Sequence, residues 1–393
     1  MFNDLHALPP DALLGITKAF NEDERADKVD LGVGVYRTID NKTPIMAAVK
    51  EAQARAAAKE TTKAYLSPEG APGFGEAIIK LLFGNSIDLS RVAAIQTPGG
   101  CGALRLAAEL LNRADAKSIA SGTPSWANHQ PLLSAAGHNI SMIPYYDRVN
   151  GAVDFDAFSN SVSKLGGKDA LLLHGGCHNP TGADLDRDQI DEVMSLAAEN
   201  GFLPLVDVAY HGFADGLEPD SYLIRKMAKC LPEFLVTYSC SKNFGLYRER
   251  IGAIIVIGQN ADRTSAMKSH VINIARQIYS MPPAHGGVIV SEILHDPHLT
   301  QLWKDELEKM RLSVKGNRKL LVETSKKYQL GDQLNYIETQ NGMFSLLPVN
   351  GNQVKALRNH HGIYVANDGR ANLCGVNSRN VNHICAAISD VIT

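Results

Sequence analysis

An α/β fold with a mostly parallel sheet flanked by helices is what the sequence predicts, on three observations. Six short, almost unbroken apolar runs lie in the middle of the chain. Such runs suit strands covered on both faces, the usual state of a parallel sheet. Between them lie longer segments with apolar residues at helical spacing, the alternation expected of a sheet between helix layers. A glycine-rich turn at Gly99–Gly102 joins the first run directly to the apolar helical segment that follows.

The elements follow in order. Ala93–Thr97 is the first of the six apolar runs. Gly99-Gly100-Cys101-Gly102 follows it and opens an apolar helix whose free N–H groups could meet a phosphate. Tight turns often carry glycine, so this signal alone is weak. Ser118–Ala120 precedes Pro124-Ser125-Trp126-Ala127-Asn128-His129, where the indole offers a flat stacking face. Ala170–His174 leads into Asn179-Pro180-Thr181-Gly182, which is turn chemistry with a candidate cis bond at Asn179-Pro180. A helix is expected from Asp186 to Asn200, with Ile190, Val193, Met194, Leu196 and Ala197 on one stripe. Asp186 with Gln189 reads as a capping box and Gly201 as the stop. Leu203–Asp207, Phe234–Tyr238 and Ile251–Ile257 complete the strands. A charged, helix-favouring stretch from about Leu299 to Tyr328 is long enough to pass from one domain to another, with Gly316 its weakest point. Beyond it come a strand at Met343–Leu347 and helices at Gln353–His360 and Val381–Val391.

Size and composition narrow the function classes. A chain of 393 residues, 45% hydrophobic, can bury a large core and more than one domain is expected. The net charge of −3 gives no sign of a nucleic-acid or membrane-surface partner. No apolar run reaches the roughly 18 to 20 residues that span a bilayer. The start, Met1-Phe2-Asn3-Asp4-Leu5-His6, lacks the basic and apolar regions of a signal peptide. Six cysteines without a CxxC pair suggest a reduced, cytoplasmic protein. His174, Cys177 and His178 have no matching ligands elsewhere, so no metal is expected.

The chemistry concentrates at strand ends, where open parallel sheets bind their ligands. Lys242 follows the run ending at Tyr238, between Ser239, Ser241 and, eight residues on, Arg250. A partly desolvated amine near another cation becomes nucleophilic near neutral pH. Two serines and a guanidinium can hold a phosphate. Nucleophilic lysine beside a phosphate cradle is what pyridoxal 5′-phosphate requires. Asp207 closes another strand and could face a protonated pyridine nitrogen; alone, it would read as a strand-end cap. Tyr210 and Asn179 could donate to the ring's phenolate oxygen. An amino-acid substrate also needs a guanidinium fork for its carboxylate, and Arg276 and Arg370 are the remaining candidates.

These residues resemble the class I aspartate/aromatic-amino-acid aminotransferases, within the fold type I pyridoxal-phosphate enzymes. The resemblance runs nearly end to end: Leu31–Tyr36, Glu60–Tyr65, Pro124–Trp126, His174–Gly182, Asp207–Phe213, Ser239–Arg250, Tyr279–Gly286, Asn341–Ser345 and Gly369-Arg370. It implies that Lys242 is the Schiff-base lysine and proton shuttle, with Asp207 at the pyridine nitrogen and Tyr210 and Asn179 at the ring oxygen. Trp126 would stack on the ring, and His129, with His174, would stand behind Asp207 to support it. Gly100, Cys101, Ser239, Ser241 and Arg250 fall where the phosphate is held, joined by Tyr65 from the second subunit of a homodimer. Arg370, with Asn179 and Gly34, would bind the α-carboxylate, and Arg276 the distal carboxylate across the dimer interface. The implied organisation is an N-terminal arm and part of a small domain over 1–43, a large cofactor domain over 44–309, and the rest of a small α/β domain over 310–393.

Departures from the family pattern bear on substrate. Cys101 stands where a threonine or serine is usual, and a thiol is a weaker donor. Met281 and Ala64 replace residues that tend to be polar in strict aspartate enzymes, and Cys240 is similar to the aromatic-preferring bacterial subgroup. A less polar entrance suits phenylalanine, tyrosine or tryptophan, while Arg276 still favours aspartate, glutamate and 2-oxoglutarate. The expectation is a dual-specificity aromatic aminotransferase. A strict aspartate aminotransferase is the alternative; a lyase or decarboxylase, or a cofactor-sensing regulatory domain, is a remote one.

Overall fold

The computed structural model describes residues 1–8 and 12–392. Seven strands form the central sheet: β1 Val92–Pro98, β2 Ser118–Thr123, β3 Asn139–Pro144, β4 Asp169–His174, β5 Leu203–Val208, β6 Phe234–Ser239 and β7 Ile251–Ile257. Their spatial order is β1-β7-β6-β5-β4-β2-β3. All run parallel except β7, which pairs antiparallel with both β1 and β6. Antiparallel pairing of β7 is permitted because only an eleven-residue connection, 240–250, separates it from β6, too short for a helical crossover.

Strand β3 is the element that its sequence hides. Asn139-Ile140-Ser141-Met142-Ile143-Pro144 sits at the sheet edge and mixes exposed and half-buried positions, none of them fully buried. It therefore carries no continuous apolar run. The helices match their signals more closely. Helix α1 (Gly99–Arg113) starts directly at the end of β1. Helix α2 (Arg187–Asn200) has both halves of the Asp186/Gln189 capping box, and Gly201 closes it at φ 75°. Helix α3 spans Ala261–Ile278. Helix α4 runs unbroken from Pro297 to Ser325, started by Asp296, whose carboxylate accepts from the Leu299 N–H. Gly316 does not interrupt it. The last three residues expected in that helix, 326–328, tighten instead into a 3₁₀ turn.

Side chains on the two faces of the sheet pack into different cores. Ala170, Leu172, Leu205 and Leu235 join α1 and α3 residues on one face. Leu171, Leu173, Val206, Val236 and Tyr238 join Phe213, Phe244 and Trp303 on the other. A separate core gathers Val29 and Leu31 with Leu321, Leu357, Ile363, Ile384 and Ile388. There Val29–Asp30 pairs parallel with Ile363–Tyr364, joining the two ends of the chain. Phe344–Leu346 pairs antiparallel with Arg370–Asn372 beside it. Among the described residues no helix is long and apolar enough to cross a membrane.

Candidate functional site

Strand alternation sends His174, Asp207, Thr237 and Ser239 to the same face as Leu172, Leu205 and Leu235. Register then sets them side by side: His174 lies opposite Asp207, and Asp207 opposite Thr237. Both carboxylate oxygens of Asp207 are engaged. Thr237 Oγ1 donates to Oδ1 at 2.8 Å, and His129 Nε2 donates to Oδ2 at 3.1 Å. Behind them Ser125 Oγ sits 2.8 Å from His129 Nδ1 and 3.1 Å from His174 Nε2. Burial by itself would raise the Asp207 pKa. The His129 hydrogen bond and charge, then His174 and the Thr237 hydroxyl, outweigh it and hold the carboxyl below its usual range. His174 is pushed down to about 3 by burial, then by the charge of His129, so it stays neutral.

In front of Asp207 lies a cavity of about 250 Å³. It is lined by Gly34, Gly100, Cys101, Trp126, His174, Asn179, Asp207, Tyr210, Ser239, Ser241, Lys242, Arg250 and Arg370. Independent loops thus bring most of the candidate residues together. Lys242 is half-buried, with Nζ 5.0 Å from the centroid of the Tyr210 ring. Its pKa is lowered, chiefly by desolvation and further by Arg250 and Arg370, against the opposing pull of Asp207. An amine so placed loses its proton more readily than a surface lysine does.

One end of the cavity gathers groups able to donate hydrogen bonds to an anion. Gly99, Gly100 and Cys101 form the first turn of the 15-residue helix α1, where backbone N–H groups have no partner within the helix. Ser239 Oγ donates to Ser241 Oγ at 3.1 Å, and Arg250 Nη1 reaches the same Ser241 hydroxyl at 3.4 Å. The approach is close. Gly99 has φ +70°, and a Cβ there would lie 2.4 Å from Arg250 Nη2. Only glycine lets the guanidinium come this near the turn.

The other end holds Arg370, which is 6% exposed. Its Nη1 donates to Asn179 Oδ1 at 3.2 Å and its Nη2 to the Gly32 carbonyl at 3.1 Å. The guanidinium lies 4.3 Å from the centroid of the Phe344 ring. Its Nε, buried, has no hydrogen-bond partner among the described residues. Asn179 is presented by the turn at the end of β4, and the Asn179-Pro180 bond is cis, as is Thr123-Pro124.

Other candidates lie outside this cavity. Tyr65 is 92% exposed. Arg276, near the end of α3, is exposed and donates to the Ser280 hydroxyl. These two segments adjoin each other: the Leu66 N–H lies 3.1 Å from Met281 Sδ. His129 is buried behind Asp207 and does not line the cavity. Cys240 is fully buried in the core on the opposite face of the sheet, so it cannot touch a ligand here. Sequence reasoning missed Thr237, Ser125, Leu104 and Phe344. Thr237 alone left a signal, as the polar residue two before Ser239 in an apolar run, hence on the same face.

Comparison with known proteins places this geometry. A family model described as aminotransferase class I and II matches residues 26–388. The chain is 43% identical over 392 residues to a tyrosine aminotransferase of Rhizobium meliloti, covering 100% of both chains. It is 41% identical over 396 residues to an aspartate aminotransferase of Haemophilus influenzae, again covering 100% of both. Among solved structures, an aromatic-amino-acid aminotransferase of Burkholderia pseudomallei, covalently bound to pyridoxal phosphate, superposes with a TM-score of 0.97 at 35% identity over 100% of both chains. The chain belongs to the class I and II aminotransferase family.

Proposed function

We propose that this protein is a pyridoxal-phosphate-dependent aminotransferase that works by a ping-pong mechanism on aromatic and dicarboxylic amino acids, with 2-oxoglutarate as acceptor. The single observation carrying this reading is the half-buried Lys242, its pKa lowered, set between two anion receptors with Asp207 behind it. The cavity fits the cofactor: a helix N-terminus, two serines and Arg250 suit its phosphate, and the orphaned Arg370 Nε suits a carboxylate. When bound, the cofactor supplies an aldehyde that takes up an amino group and a ring that draws electrons from the substrate Cα.

The chain's own residues would do the rest. Lys242 Nζ would hold the cofactor's aldehyde until the incoming amine takes its place, and would then carry the proton that leaves the substrate Cα. Asp207 keeps the pyridine nitrogen protonated, its own charge secured by His129 and Thr237. Trp126 would cover the ring, and Tyr210 and Asn179 would donate to its oxygen. Gly100, Cys101, Ser239, Ser241 and Arg250 hold the phosphate. Arg370 receives the α-carboxylate beside Asn179 and Gly34.

Tyr65 and Arg276 complete the site only from a second copy, so we propose a homodimer with shared active sites. In support, both are exposed and neither lines its own chain's cavity. We likewise propose the small domain over 1–43 and 310–393 around the 44–309 domain, and a cytoplasmic location. The first is supported by the separate core joining Val29 and Leu31 to C-terminal residues. The second draws on the six cysteines, all unpaired.

Met281 and Ala64 lie on either side of the Tyr65-Leu66 segment that would face the entrance, and their low polarity supports an aromatic leaning. Arg276 supports dicarboxylates and keeps the strict aspartate enzyme as the second reading. Paired half-reactions decide between them: phenylalanine turnover within about tenfold of aspartate supports dual specificity, and a far larger deficit supports the aspartate enzyme. Arg276→Ala should harm aspartate and 2-oxoglutarate far more than phenylalanine. Lys242→Ala should abolish both turnover and the visible absorbance of the lysine–cofactor link; normal turnover would reject the mechanism. Release of the 2-oxo acid with its side chain intact, without ammonia or carbon dioxide, separates transamination from elimination and decarboxylation.

A further inference from the structure

We infer that the Tyr238 phenol positions Lys242 against Tyr210, by tying together the residues that follow each of them. The inference rests on the role proposed for Lys242. Tyr238 lies on β6 between Thr237 and Ser239, so its side chain points away from the cavity into the opposite core. There the residue after Lys242 and the residue after Tyr210 meet at its hydroxyl. Asn243 Nδ2 donates to Tyr238 Oη at 2.7 Å, and Tyr238 Oη lies 3.2 Å from His211 Nδ1. His211 Nε2 is 2.8 Å from the Leu217 carbonyl and 3.0 Å from Ser221 Oγ.

Each link has a fixed direction. A carbonyl can only accept, so His211 carries its proton on Nε2 and offers Nδ1 as acceptor to the phenol. Burial keeps the imidazole neutral, with its pKa down to about 4, which preserves that tautomer. The phenol donates to His211 and accepts from Asn243. Asn243 depends on this contact more than a buried amide usually does. Its Oδ1 has no hydrogen-bond partner among the described residues, so the Nδ2 bond is what orients the side chain. The Asn243 carbonyl is pinned separately by Trp303 Nε1 at 2.7 Å. Tyr238, Asn243 and His211 are each 1% exposed or less, so bulk solvent does not reach this network.

Front and back of the site are thereby coupled through two peptide steps. Lys242 Nζ and the Tyr210 ring face each other at 5.0 Å in the cavity, while their successors are clamped by one oxygen behind the sheet. Misplacing a reacting amine by an ångström costs about a hundredfold in rate. Removing that oxygen should loosen the amine without touching any ligand-contacting group.

Tyr238→Phe in the cofactor-loaded protein tests this. It should lower the rate of the amino-acid half-reaction by about tenfold to a hundredfold, with KM changed less than threefold. It should also shift the pH titration of the lysine–cofactor absorbance by half a unit or more. His211→Gln offers an amide oxygen to the phenol and an N–H toward Leu217, and should keep most of the rate and the wild-type titration. His211→Leu should behave like Tyr238→Phe. Wild-type rate and titration in Tyr238→Phe would overturn the inference. So would lowered melting temperatures in all three variants with an unmoved titration, which is what plain packing would give. If the wild-type protein itself shows neither absorbance nor turnover, it is the proposed role of Lys242 that fails.

Discussion

Arg318 and Arg370 are both buried guanidiniums beside the Phe344–Leu346 strand, yet one is saturated and the other is not. Arg318 spends every donor on its own chain. Nε reaches the Gly342 carbonyl at 3.0 Å, and Nη1 the Ile337 carbonyl at 2.9 Å and Ser345 Oγ at 2.8 Å. Its Nη2 reaches the carbonyls of Asn341, Gly342 and Phe344 at 2.6 to 2.8 Å. Burial lowers its pKa to about 10, which still leaves it charged at neutral pH. Arg370 makes two long hydrogen bonds and leaves Nε unmet. Burial lowers its pKa too, opposed by Tyr210 and Asp368. A buried cation with all donors taken builds a fold. One with a donor left over is what the proposed carboxylate-binding role of Arg370 requires.

Four measurements would break or sharpen that contrast. Arg318→Met should have the largest effect on stability. It strands several buried carbonyls and should cost about 3–5 kcal/mol in urea unfolding. A loss below about 1 kcal/mol would remove the distinction. Arg370→Leu should leave stability within about 1 kcal/mol, since it deletes an incompletely paired buried charge. The same change should lower kcat/KM for amino acids by about 10²–10³-fold, and Arg370→Lys should not restore it because an ammonium lacks the fork.

Acid should act on neither guanidinium but on the neutral histidines. His174 and His211 have folded pKa values of about 3 and about 4, and His178 lies well below its usual value, each because of burial. An unfolded histidine titrates near 6.5, so below that pH the unfolded chain binds more protons and stability falls. Between pH 7 and pH 6 the three together should cost roughly 1–2 kcal/mol, read from the urea midpoint. Asp220, raised to about 6 by burial, works in the opposite sense once the pH falls below that value. An unchanged midpoint across this window would mean that these rings are not held neutral. The smallest effect belongs to Cys101→Ser. A hydroxyl is a better donor than a thiol, so the variant should retain pyridoxal phosphate a few-fold more tightly in equilibrium dialysis. No comparable gain is expected around Arg318, whose guanidinium nitrogens all have partners already.

Legibility followed the range over which each signal acts. The α2 capping box, the α1 glycine turn and the run from Ile251 to Ile257 are complete within a few residues, and each was readable. Strand β3 was not, because an edge strand with half-exposed positions has no apolar signature. Lys242, Asp207 and Asn179 were readable as strand-end residues, and their shared cavity follows from parallel neighbours in register. Arg318 looked like one more charge on a charged helix, and nothing local distinguishes it from Lys315 or Lys319.

By itself, then, the sequence determined the alternation of strands and helices, where the helices begin, and which residue types reach the strand ends. Those properties depend on backbone periodicity and on side chains acting within a turn or two of their own position. Tertiary structure alone decided that Arg318 is saturated while Arg370 keeps a free donor, that Thr237 secures Asp207, and that Tyr238 joins Asn243 to His211. Each of these depends on which distant groups share a water-free space, and hydrogen-bond partners are counted only once that space has closed.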